Sequence, residues 1–220
     1  MSDELTIADI QQAFFEYRAN FKQPLTGLWY GGKQGEIIKA LLKALSPWHV
    51  GLENVTWNQT AKNASEIQLT ILVPSMVANI QVGLGGLTMN ALNPDWSRTP
   101  QFVSLFQTGL DALRATAQEE FQAQQTTLGF HVKPSKRPFR DILTGLVNTK
   151  ALGGEDASMF GVSVYYGDYS FVIDGSAVFP GSVFIKLIRN FAPEKQFEEM
   201  AKTLYADEET VLHKLGLKLQ

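Results

Sequence analysis

The sequence predicts an α+β fold: a largely antiparallel sheet with helices packed on one face, built from two similar halves. Segments in which polar and apolar residues alternate indicate strands with one buried face, and segments with apolar residues three and four apart indicate amphipathic helices. The order strand, short helix, three or four strands and long helix occurs twice along the chain. We therefore predict a single domain of two pseudo-repeats, at about residues 13–125 and 126–220.

The first half opens with a strand and a short helix. Apolar and polar residues alternate over 15–21, which predicts a strand, and residues 5–12 before it are expected to form a short helix or a covering arm. Isoleucine and leucine recur at three- and four-residue steps over 36–45. This spacing predicts a short helix that Ser46-Pro47 ends.

Four strands and a long helix complete the first half. Alternation predicts strands at residues 54–59, 67–72, 77–82 and 87–92. The glycine-rich segment 83–86 permits a tight hairpin turn between the last two. Thr99-Pro100 supplies a hydroxyl cap and then a proline where no backbone donor is needed, so a helix is expected to start there and to run to about Gln124.

The second half repeats this order of elements. We predict a strand over 128–133 and a short helix over about 139–146. Three strands follow, at residues 160–166, 169–174 and 183–190. A final helical region is expected from Pro193 to about Leu215, with a second short helix capped at Asp207–Glu209.

One stretch of the chain resembles a known family. The residues that carry the resemblance are Gln81-Val82-Gly83, Leu87-Thr88, Asn90, Trp96 and Phe102. This pattern resembles a sporadically distributed family of uncharacterised bacterial proteins, whose members have a comparable hairpin and an aromatic-rich entry to a helix, followed by a strand and a proline. Residues 128–134 take the place of that strand, and the resemblance covers roughly residues 66–147. It implies the fold and a bacterial origin, and it implies no activity because the family has none established.

Composition excludes several classes of site. The 220-residue chain has a formal net charge of −3 and no cysteine, so disulfides, thiolate nucleophiles and cysteine-ligated metals are excluded. No metal and no cofactor are expected, because the three histidines are far apart and form no HxH or HExxH spacing. The acidic N-terminal residues lack the pattern of a signal peptide, and no apolar run approaches a membrane span. We expect a cytoplasmic protein without membrane association.

A basic stretch is the clearest charged feature. It consists of His131, Lys133, Lys136, Arg137 and Arg140, which fall within ten residues. Phe139 lies among them, so a contact with nucleic acid or an acidic protein is one interpretation. The other is a solvated strand end and first helical turn, which we favour because the whole chain is acidic.

Several aromatic residues lie at expected turns and strand ends. They are Trp29, Trp48, Trp96, Tyr165 and Tyr166. Packing at the rim of the core is the ordinary role of such residues. Tyrosine and tryptophan also dominate the residues on which protein interfaces depend, so these five are candidate interface residues.

No catalytic constellation is present in the sequence, and we predict no catalytic residue. The favoured hypothesis is a non-enzymatic interaction module that acts as scaffold, adaptor, chaperone or accessory subunit of a bacterial assembly. It would bind a protein partner or self-associate into an oligomer. The alternatives are a small-molecule binder or enzyme with a pocket between the two halves and, third, a nucleic-acid binder that uses the basic stretch.

Overall fold

The structure is a computed structural model, and it describes residues 6–28, 33–58, 66–94, 98–117, 120–136, 138, 141–142 and 161–219. The helices and strands are β1 (Thr6–Phe21), α1 (Gln34–Leu45), β2 (Val55–Trp57), β3 (Gln68–Val73), β4 (Ala78–Gly83), β5 (Gly86–Leu92), α2 (Thr99–Ala117), β6 (Phe121–Pro134), β7 (Val162–Tyr166), β8 (Tyr169–Gly175), β9 (Val183–Phe191), α3 (Phe197–Lys214) and β10 (Leu217–Leu219).

Hydrogen bonds order the described strands β2-β3-β4-β5-β1-β6-β9-β8-β7 in one sheet, and β10 pairs with β1. The β2–β5 meander and the β7–β9 meander are antiparallel, whereas β10 runs parallel to β1. A large, mostly antiparallel sheet together with helices confirms the predicted α+β class. The internal repeat stays a prediction.

The described residues form two compact units. The first, here the β2–β5 unit, comprises Phe15–Thr126 and Asn190–Ala201. The second, here the β7–β9 unit, comprises Met1–Phe14, Thr127–Arg189 and Lys202–Gln220.

An aromatic cluster forms the core of the β2–β5 unit. The Phe106 ring of α2 stacks on Phe15 of β1 with centroids 5.7 Å apart, and Phe197 meets both rings edge-on. Gly109 lets α2 lie close to the sheet, because a Cβ there would be 3.0 Å from Ile80 Cδ1. Helix α1 packs against α2. Rings and close helix contact together exclude water from this core.

A buried polar centre lies beside this cluster. The Tyr17 hydroxyl donates a hydrogen bond to Gln124 Oε1. Gln124 Nε2 donates to the carbonyl oxygens of Ala192, Pro193 and Lys195 at 2.8, 2.9 and 3.1 Å. Burial raises the pKa of the Tyr17 hydroxyl. One amide side chain therefore holds both β1 and the segment that leads into α3.

The β7–β9 unit has an apolar inner face. Val164 of β7 lies opposite Phe171 of β8, which in turn lies opposite Leu187 of β9. Phe171 and Leu187 are buried, and so are the apolar residues of α3 in this unit, among them Leu204 and Val211. Helix and strands bury these side chains together, which is the main stabilising contribution to this unit.

Three predictions about elements were wrong, and one strand was missed. Residues 6–12 are part of β1 and form no helix or arm, and Thr6–Ala8 pair with β10, a strand that the sequence pattern had not indicated. Helix α2 ends at Ala117, whereas the prediction was about Gln124. Helix α3 is continuous from Phe197 to Lys214 without a second start at Asp207–Glu209, because Asp207 pairs with Arg189 instead of capping a helix.

Candidate interaction edge at the tyrosine hairpin

Strand β7 stands at one end of the strand order. Among the residues that the structure describes, β8 is its hydrogen-bonded neighbour. Its five residues, Val162 to Tyr166, contain no charge and no proline. Edge strands expose backbone donors and acceptors, and proteins usually protect them with lysine, proline or a bulge. Strand β7 carries none of these protecting residue types.

The two tyrosines of β7 lie on opposite faces of the hairpin that β7 forms with β8. Tyr165 is paired with Ser170 on the outer face, and 79% of its surface is exposed. Tyr166 is paired with Tyr169 on the inner face, and their rings stack with centroids 4.5 Å apart and an interplanar angle of 11°. Tyr166 is 40% exposed. Only Tyr165 is therefore presented away from the unit.

Cations fix the inner face of the hairpin. Lys214 Nζ of α3 donates a hydrogen bond of 3.2 Å to the Tyr166 hydroxyl and lies 4.9 Å from that ring's centroid. The hydrogen bond to Tyr166 is the main reason that the pKa of Lys214 is raised. The guanidinium of Arg189 lies 5.1 Å from the centroid of the Tyr169 ring. A cation over an aromatic face is attracted by the ring's negative face.

Two carboxylates also hold the hairpin in place through Arg189. Arg189 pairs with Asp168 of the hairpin turn and with Asp207 of α3, both at 3.3 Å. Burial raises the pKa of Asp207, and the charge of Arg189 opposes that effect. Burial likewise raises the pKa of Tyr169. The hairpin is therefore anchored on its inner side to β9 and α3.

The basic stretch is only partly brought together in the described residues. Lys133 and Lys136 are exposed. His131 is packed between the rings of Phe179 and Phe184, at centroid distances of 5.3 and 4.7 Å. Burial lowers its pKa. Arg137 and Arg140 lie outside the described residues.

His131 has a structural partner. Its Nδ1 lies 2.9 Å from Ser176 Oγ, and that oxygen also accepts a hydrogen bond of 2.8 Å from the Phe179 backbone N–H. The Ser176 hydroxyl is thus free to donate its proton to Nδ1, which suits a neutral imidazole. Ser176 therefore stabilises the turn that follows β8, and the His131 side chain of β6 contacts this serine.

The remaining aromatic candidates are distributed as follows. Trp48 is half-buried in the 3₁₀ helix Ser46–Trp48, and its carbonyl oxygen accepts a hydrogen bond of 3.0 Å from Ser75 Oγ. Trp29 and Trp96 lie outside the described residues. Sequence reasoning missed Arg189, Asp207 and Lys214, because each lies far along the chain from the tyrosines that it supports.

Within the described ranges no three histidine, aspartate or glutamate side chains gather where they could hold a metal ion. No helix among these residues has the length and apolar character needed to cross a membrane.

No family model matches the sequence, and a search of curated proteins found no match. The resemblance over residues 66–147 therefore stays a prediction.

Proposed function

We propose that this chain is a protein-interaction module that binds an extended strand of another protein chain along the edge of β7 that faces away from β8, with which no other described strand pairs. The observation that carries the proposal is the edge itself: five uncharged residues without proline, among them Tyr165, which is 79% exposed. Addition of a strand to a sheet edge obtains affinity from backbone hydrogen bonds and specificity from alternate side chains.

The roles of the two tyrosines differ in this proposal. Tyr165 supplies a large amphipathic contact surface with few rotatable bonds, which is why tyrosine is enriched where interfaces depend on single residues. Tyr166 is held by Lys214 and Tyr169 and keeps the hairpin in place. No catalytic residue takes part, in keeping with the non-enzymatic hypothesis.

A photo-crosslinking residue at position 165 tests the proposal. Tyr165 is replaced by benzoylphenylalanine, and Leu52, which is 71% exposed in the β2–β5 unit, is replaced in the same way as a control. We expect a crosslinked protein from position 165 in much higher yield than from position 52.

Hydrogen exchange on the captured complex completes the test. The amides of residues 162–166 should exchange more slowly in the complex than in the free chain, because new backbone hydrogen bonds protect them. Equal crosslinking at the two positions, or unchanged exchange over β7, would contradict the proposal.

A further inference from the structure

We propose that the strand bound along β7 is β7 of a second copy of this chain, which rests on the proposed function and specifies its partner. The two edges would pair antiparallel about a twofold axis at Val164. In this register Val164 lies opposite its own copy, Ser163 opposite Tyr165, and Val162 opposite Tyr166. It is the one antiparallel register in which all five residues of β7 find a partner.

The absence of charged residues in β7 favours a copy as the occupant. Like charges directly opposite each other destabilise a strand pair, and a symmetric pair brings identical residues close together. Strand β7 has no charged residue, so its self-pairing carries no such repulsion within the strand. Natural edge strands often carry lysine, and the repulsion between these lysines prevents two edges from pairing.

Side-chain size is also self-complementary on the outer face. Ser163 and Tyr165 point to this face, since they pair with Val172 and Ser170 of β8. Each exposed tyrosine would therefore lie over the small Ser163 of the other copy, twice in the dimer. The large and small residues alternate so that neither tyrosine meets the other head-on.

A charge-exchange experiment tests the register. Two double variants are made, a basic one with Ser163→Lys and Tyr165→Lys and an acidic one with Ser163→Glu and Tyr165→Glu. Both positions are exposed, so the fold should persist, and circular dichroism checks this. The matched controls are Leu52→Lys and Leu52→Glu.

The expected results follow from the pairing of 163 with 165. Wild-type chain should show a concentration-dependent monomer–dimer equilibrium in sedimentation velocity. Each double variant should dimerise about tenfold or more weakly, because two like-charge pairs replace two serine–tyrosine pairs. Mixing the basic and acidic variants should restore the dimer, and the Leu52 controls should dimerise like wild type.

Three results would overturn the inference: a wild-type chain that is monomeric at every concentration, double variants that dimerise normally, or a mixture that fails to restore the dimer. A monomer whose position 165 still crosslinks a different protein would leave the proposed function intact. A monomer without crosslinking specific to position 165 would remove both.

Discussion

The Gln124 side chain joins four hydrogen bonds in the β2–β5 unit. It accepts from Tyr17 and donates to three backbone carbonyls, and only 1% of its surface is exposed. A buried polar group that loses its partner incurs the full cost of its desolvation. Removal of this amide would take the acceptor from the Tyr17 hydroxyl and one donor from each of three carbonyls, of which that of Ala192 keeps the hydrogen bond from the Lys195 backbone N–H.

We expect Gln124→Leu to lower the free energy of unfolding by about 2–4 kcal/mol, whereas Tyr17→Phe should lower it by about 1–2 kcal/mol because it leaves one acceptor unpaired. Urea denaturation monitored by fluorescence measures both. Gln122→Leu is the matched control, since Gln122 is exposed on the same strand. A Gln124→Leu variant as stable as that control would show that the polar centre contributes nothing.

Glu208 makes stability depend on pH. Burial, with a smaller contribution from Glu209, raises the pKa of Glu208 to about 7. The folded chain thus keeps a proton that the unfolded chain releases near pH 4.5. Between these values the folded state binds more protons, so the free energy of unfolding falls as the pH rises.

Glu208→Gln should remove this dependence, because the amide mimics the protonated acid. We expect the variant to match wild type near pH 4.5 and to be more stable by about 1–3 kcal/mol at pH 8. Denaturation at several pH values measures the difference, and Glu194→Gln at an exposed position is the control. Parallel stability curves for Glu208→Gln and wild type would refute the prediction.

At the scale of elements, the local sequence pattern predicted the presence of strands better than it predicted where an element ends. The residues of β3, β4 and β5 alternate in burial as their sequence alternates in polarity. The predicted bounds of these strands were therefore close to the observed bounds. The segment after α2 is different, because Gln124 and Thr126 are buried although their side chains are polar. Gln124 is buried with hydrogen-bond partners distant in sequence, and the local pattern therefore resembled the polar end of a helix.

Contact between β1 and β6 depends on one glycine. A Cβ at Gly129 would lie 2.2 Å from Phe14 Cε1, and the Phe14 ring also stacks near Phe184 at a centroid distance of 6.4 Å. Gly129→Ala should therefore displace the ring and destabilise the chain by about 1–3 kcal/mol.

A double-mutant cycle tests this contact. In a chain that already carries Phe14→Ala, Gly129→Ala should cost little, since the ring is absent. Gly167→Ala is the control, because a Cβ at Gly167 would meet nothing within 4 Å. Equal effects of Gly129→Ala with and without Phe14 would show that the ring is not the cause.

For the whole molecule, the order of strands decides which residues form an exposed edge. Sequence reasoning selected Tyr165 and Tyr166 as interface candidates from their place beside a hairpin turn. It had no means to tell that β7 ends the described sheet, or that one tyrosine faces α3 and the other faces away. Both properties depend on pairings between distant segments, which a local pattern does not encode.

Salt dependence separates an uncharged edge contact from an electrostatic one. Binding through Lys133 and Lys136 to an acidic partner would weaken steeply as salt screens the charges. Pairing through β7 involves no charged residue of the strand, and each copy carries a net charge of −3, so added salt should leave the dimer unchanged or slightly stronger. Sedimentation velocity at low and high sodium chloride measures this.

The control is a Lys133→Glu and Lys136→Glu double variant, which should dimerise like wild type at high salt, since neither lysine belongs to β7. Its net charge is more negative by four, so any long-range repulsion between copies should appear at low salt and vanish at high salt. A dimer that dissociates as salt rises, or that this variant abolishes at high salt, would assign self-association to the basic stretch instead of to β7.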